Sequence, residues 1–149
     1  MSEVLFYHLE KQRLDAILPN LLERTLQRGW RAVVEAPARE RIEALDALLW
    51  TYRDDSFLPH GTDDGPFAAE QPIILTSGKG SSNAAQVRFL VDGAVPTGID
   101  DYERVVILFD GRDDEAVAQA RVQWKALKGS AHDLTYWQQD EAGRWLKKA

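Results

Sequence analysis

The chain has 149 residues, with 18 Lys plus Arg against 24 Asp plus Glu, a formal charge of −6 and an isoelectric point near 5.0. That length suits one core, so residues 1–149 are read as a single domain, and the acidic balance argues against a grip on nucleic-acid phosphates over the whole surface. The lack of cysteine excludes disulfides, thiolate nucleophiles and cysteine-held zinc, and without an apolar membrane span or a basic signal start the expectation is a soluble cytoplasmic protein.

Val4-Leu5-Phe6-Tyr7 is a short β-favouring run and reads as the first strand. Leu14, Ile17, Leu18, Leu21, Leu22 and Leu26 then recur at three and four residues, a helix ending at Arg28-Gly29. Pro19 lies inside that pattern, either as the first residue of the main helical segment or as a kink. Trp30 to Ala36 is a second strand, and Ala38 to Thr51 a second helix with Ile42, Leu45, Leu48 and Leu49 as its apolar stripe. Tyr52 to Gln71, carrying Pro59, Gly61, Gly65 and Pro66, reads as a long loop. Pro72 to Thr76 is a third strand, Ser77 to Ser82 a turn, and Val87 to Val91 a further strand ending at Asp92-Gly93. Arg104 to Phe109 is nearly all apolar, as strands covered on both faces are. Arg112 to Lys128 is the last long helix, Leu134 to Trp137 the final strand, and the rest a polar tail with Trp145. Strands alternating with helices predict a three-layer α/β/α fold with a mostly parallel central sheet.

Such a sheet invites a nucleotide, yet the first strand-to-helix turn, Tyr7-His8-Leu9-Glu10-Lys11, has no glycine to let a pyrophosphate approach. The fold is therefore Rossmann-like without the nucleotide fingerprint. Ser77-Gly78-Lys79-Gly80-Ser81-Ser82 lacks P-loop spacing, and His8, His60 and His132 form no metal pattern. Asp110, Asp113, Asp114 and Glu115 fall where a strand ends and a helix begins. Carboxylates there suit Mg²⁺, but equally complement the positive helix end. No catalytic residue, cofactor or metal is expected; a nucleotide- or Mg-dependent enzyme using Asp110, Asp113 and Asp114 is the alternative.

Two other groupings draw attention. At about 100° per residue, Val117, Ala120, Trp124 and Leu127 share the apolar face of the last helix. Arg121, Lys125 and Lys128 form a row beside the edge that carries Val117 and Trp124. Such an edge suits a ligand that is acidic along its length and apolar at its tip, with Arg121 placed for a terminal carboxylate. A solvated flank, with long stems over the core, gives the same pattern. On the second helix Trp50 lies off the core stripe, and the loop adds Tyr52, Phe57, Leu58, Pro59 and His60. These read either as a protein-binding surface or as a satellite cluster folded back onto the core.

Ala47-Leu48-Leu49-Trp50 followed by Ser56-Phe57-Leu58-Pro59-His60 resembles the signature of the chi subunit of the bacterial DNA polymerase III clamp-loader complex. Val4-Leu5-Phe6-Tyr7, Leu90-Val91-Asp92-Gly93-Ala94, Arg121-Val122-Gln123-Trp124-Lys125 and Leu134-Thr135-Tyr136-Trp137 resemble further family segments in the same order. The resemblance implies a non-catalytic replication adaptor with a Rossmann-like fold that has lost nucleotide binding. It implies that Arg121 and Trp124 hold the acidic, apolar-tipped C-terminal tail of single-stranded DNA-binding protein, so that DNA is reached only indirectly. Val117 stands where the family carries a lysine, and Lys125 or Lys128 is the substitute on offer. Trp50 and Phe57, with Leu58, Pro59 and His60 around them, correspond to a surface that docks the small psi subunit or a helicase-like partner.

Overall fold

The computed structural model describes residues 2–10, 12–52, 58–78, 83–96, 98–140 and 142–149. Alternation along its strands sorts the core into two layers. In β6 (Arg104–Asp110), Val106 and Leu108 join one buried cluster, while Val105, Ile107 and Phe109 join the other. β1 (Glu3–Leu9) does the same, sending Leu9 to the first cluster and Val4 and Phe6 to the second. A strand that feeds two cores has no face for polar side chains, which explains the unbroken apolar run of 105–109.

The first cluster is closed by α1 (Leu14–Gln27) through Ile17, Leu18 and Leu22, and by α2 (Arg39–Thr51) through Ile42, Leu45 and Leu49. The second is closed by α3 (Asp114–Leu127) and by a 3₁₀ turn at Ile99–Asp101. β2 (Ala32–Glu35), β3 (Gly61–Thr62), β4 (Ile73–Thr76), β5 (Val87–Leu90), β7 (Asp133–Gln139) and β8 (Trp145–Lys147) complete one eight-stranded sheet in the order β3-β4-β2-β5-β6-β1-β7-β8. Every neighbouring pair is parallel except β7 with β8. This is the expected α/β architecture, with helices on both faces of a mostly parallel sheet. No helix among the described residues is long and apolar enough to cross a membrane.

Two details differ from the sequence reading, and a third decides between alternatives it left open. The stretch 52–71 is not all loop: Gly61-Thr62 pairs with Ile74-Leu75 as a parallel edge strand, and Ala68–Glu70 forms a 3₁₀ turn. The tail carries a strand, because Trp145–Lys147 pairs antiparallel with Trp137–Gln139 and Trp145 stacks on Tyr7 at 4.8 Å. α1 starts five residues before Pro19, which is buried within it, so the proline does not open the helix. Of the expected turn at Ser77 to Ser82, residues 79–82 lie outside the described residues.

Candidate functional site: the groove between α3 and β7

α3 begins cleanly because the Asp113 carboxylate accepts hydrogen bonds from the N–H groups of Glu115 and Ala116, at 3.0 and 3.4 Å. It ends at Leu127, followed by Lys128 and by Gly129 in the left-handed region (φ 90°). Ala120, 3% exposed, is its one fully buried residue. Val117, Trp124 and Leu127 are half-buried against the second cluster. α3 therefore rests on a small residue and leaves its larger apolar groups at the margin of the core. Trp124 meets Phe6 edge-on at 5.3 Å and Tyr136 at 5.9 Å.

Tyr136 comes from β7, which lies beside β1 with Phe6 opposite Tyr136. Burial pushes its phenol above the ordinary value, and the Arg121 charge opposes that shift, so the Arg121 field reaches the floor of the groove. The Tyr136 hydroxyl shares a 2.6 Å hydrogen bond with His8 Nδ1, and His8 Nε2 lies 3.1 Å from Glu10 Oε1. Gln138 donates to that same Glu10 oxygen at 3.0 Å. The His8 ring fits only because residue 111 is glycine; a Cβ there would lie 2.0 Å from His8 Nε2. Arg121, Lys125 and Lys128 are exposed along this flank. The structure thus places Val117, Arg121, Trp124, Lys125 and Lys128 on one helix over an aromatic floor. Phe6, His8 and Tyr136 are additions that spacing along the chain did not reveal, although Leu134, Tyr136 and Gln138 do alternate toward one face.

A second feature is a crevice of about 550 Å³ at the C-terminal ends of β1, β5 and β6, where open α/β sheets hold their ligands. Here several of its charges are already engaged. Arg41 pairs with Asp15 and Asp92 at 3.2 and 2.7 Å, and Arg112 with Asp110 at 3.4 Å. Asp110 is held below the usual carboxylate range chiefly by the Arg112 N–H, and Asp113 is spent on the helix cap. Among the described residues no three His, Asp or Glu side chains gather as metal ligands. The carboxylates considered for Mg²⁺ thus include two that serve the backbone.

The patch around Trp50 divides in two. Trp50 is 50% exposed and packs its ring against His60, with centroids 4.2 Å apart. His60 is only 4% exposed, with Nδ1 2.7 Å from the Leu58 carbonyl and Nε2 3.0 Å from an Asp46 carboxylate oxygen. Leu58, 2% exposed, belongs to the first core cluster, and Tyr52 packs on that cluster too. Leu58 and His60 are therefore corrected from surface residues to anchors: the loop turns inward and pins Trp50 from beneath. Pro59 is half-buried, and Phe57 lies outside the described residues.

The fold is that of a doubly wound α/β protein, an open and mostly parallel sheet with helices on both faces, carrying a cationic-aromatic groove on α3 and an exposed indole on α2. The family described as "DNA polymerase III chi subunit, HolC" matches residues 1–135. A probable DNA polymerase III subunit chi of Rickettsia prowazekii (strain Madrid E) is 23% identical over 156 aligned positions, covering all of this chain and 93% of that relative. The chain belongs to the chi-subunit family of DNA polymerase III, an accessory subunit of replication.

Proposed function

We propose that this protein is a non-catalytic cytoplasmic adaptor of one domain, which links the clamp loader or a helicase-like partner to the acidic C-terminal tail of single-stranded DNA-binding protein. The tail lies along α3, its apolar tip against Trp124 and Val117 and its terminal carboxylate on Arg121, with Lys125 and Lys128 meeting acidic residues further back. A psi subunit or helicase-like protein docks over Trp50, Phe57 and Pro59. The observation that supports this best is the cationic row of Arg121, Lys125 and Lys128 beside the half-buried Trp124 indole, which packs edge-on against Tyr136.

Magnitudes divide the work. Exposed ion pairs give about 0.2–1 kcal/mol each, so the lysines steer more than they hold. Burying one apolar tip gives about 1.5–3 kcal/mol, and a carboxylate on a guanidinium about the same. Arg121→Ala should therefore weaken a tail peptide by about 1.5–3 kcal/mol in calorimetry, while Lys125→Ala costs under about 1 kcal/mol. Unchanged affinity in Arg121→Ala would remove the assignment. Thermal stabilisation by nucleotide with Mg²⁺, and none by tail peptide, would move the function to the crevice.

A further inference from the structure

α1 closes with two cations one turn apart, Arg24 and Arg28, a spacing at which like charges repel. They open onto a pocket of about 380 Å³ between that end of α1 and the strands β5 and β6. A third cation, Arg104, enters from the start of β6. The Arg28 guanidinium lies 4.1 Å from the centre of the Trp30 ring and that of Arg104 5.5 Å from it. Tyr7, Leu21 and Trp30 are half-buried walls, with Val87, Phe89 and Val106 beneath them. Glu3 pairs with Arg104 at 2.6 Å; among the described residues Arg24 and Arg28 have no ion pair. The helix dipole accounts for cations at a C-terminus. It does not account for one from another element converging on the same aromatic wall.

We propose that this pocket binds an acidic polypeptide segment that inserts one apolar side chain, at a site separate from the α3 groove and on the opposite face of the sheet. The planar guanidinium forks of Arg24 and Arg28 receive the carboxylates on either side, with that of Arg28 held over the Trp30 ring. The interior is suited to an aromatic or aliphatic side chain rather than a nucleobase. Its rings are half-buried walls, Tyr7 is already stacked on Trp145, and the Thr25 hydroxyl donates to the Leu21 carbonyl. An inserted base would leave ring nitrogens short of partners, whereas a phenyl ring needs none.

The test uses the full chain labelled with ¹⁵N, with the indole N–H signals of Trp30 and Trp124 as separate reporters of the two sites. The probe is acetylated, amidated Asp-Asp-Phe-Asp-Asp, which lacks the terminal carboxylate that Arg121 would take. Trp30 should shift on titration in both the wild type and Arg121→Ala. The exposed double variant Arg24→Ala/Arg28→Ala should weaken that response at least tenfold and leave Trp124 unchanged. Replacing the peptide phenylalanine by alanine should abolish it. A silent Trp30, or equal affinity in the double variant, overturns the proposal. A thymidine oligonucleotide that shifts Trp30 where the peptide does not overturns it in favour of single-stranded nucleic acid.

Discussion

At the scale of single residues, the α3 groove depends on a side chain that is missing. Gly111 follows β6 and sits under the His8 ring, with its own N–H on the Leu9 carbonyl at 2.6 Å. Adding a methyl group there would place it 2.0 Å from His8 Nε2 and 2.9 Å from the Leu9 carbonyl oxygen. The ring cannot swing away freely, because Phe109 and Tyr136 flank it edge-on at 5.2 and 5.9 Å. Gly111→Ala should therefore destabilise the fold by about 1–3 kcal/mol, the cost of overpacking, measurable as a lower urea midpoint at unchanged slope. Any surviving folded protein should also bind a tail peptide more weakly, since the partner of the Tyr136 hydroxyl has moved.

At the scale of elements, neighbouring strands are tied by one buried ion pair. Arg88 of β5 reaches both carboxylate oxygens of Glu35 in β2, at 2.9 and 3.0 Å, with side chains 5% and 12% exposed. Removing the guanidinium leaves the Glu35 carboxylate buried without it, so Arg88→Ala should cost about 3–5 kcal/mol, whereas replacing both by apolar residues of similar size should cost much less. A double-mutant cycle in chemical denaturation separates the two. The element pattern shows which features a sequence can carry. The helices and the long strand β6 were legible, since each repeats a period over several turns or pleats, and the α3 row follows from that period alone. β3 and β8 escaped notice because two or three residues hold no period. The His8–Tyr136 partnership spans 128 positions and exists only because β7 lies beside β1, an order that chain sequence does not dictate. Leu58 and His60 were misplaced for a related reason: an apolar run in a loop looks the same whether it turns outward or back onto α2.

At the scale of the whole molecule, α2 and α3 lie on opposite faces of the sheet, so a partner over Trp50 and a tail along α3 have no shared footprint. Both should bind together, with affinities for each that are unchanged by the other within about threefold, as calorimetry with one partner pre-saturated would read. Three phenols also respond as a set. Burial raises Tyr7, Tyr102 and Tyr136 above the ordinary value of 10.0. Below that value all three are protonated in both states and contribute no pH dependence. As pH rises past it, the unfolded chain loses these protons first, the native state holds more, and stability must fall. Urea midpoints taken from pH 8 to 11 should be flat and then decline, with tyrosinate absorbance at equilibrium lagging that of the unfolded chain.

The two rims of the sheet carry a consequence of their own. β3 is two residues long, and β8 is three, ending at Lys147 with Lys148 next to it. Strands so brief, the second of them carrying lysine, offer a stranger little template for cross-chain β pairing. A protein stored or crowded at high concentration would thus be guarded against fibril growth by its margins, while its flat sides stay free for company.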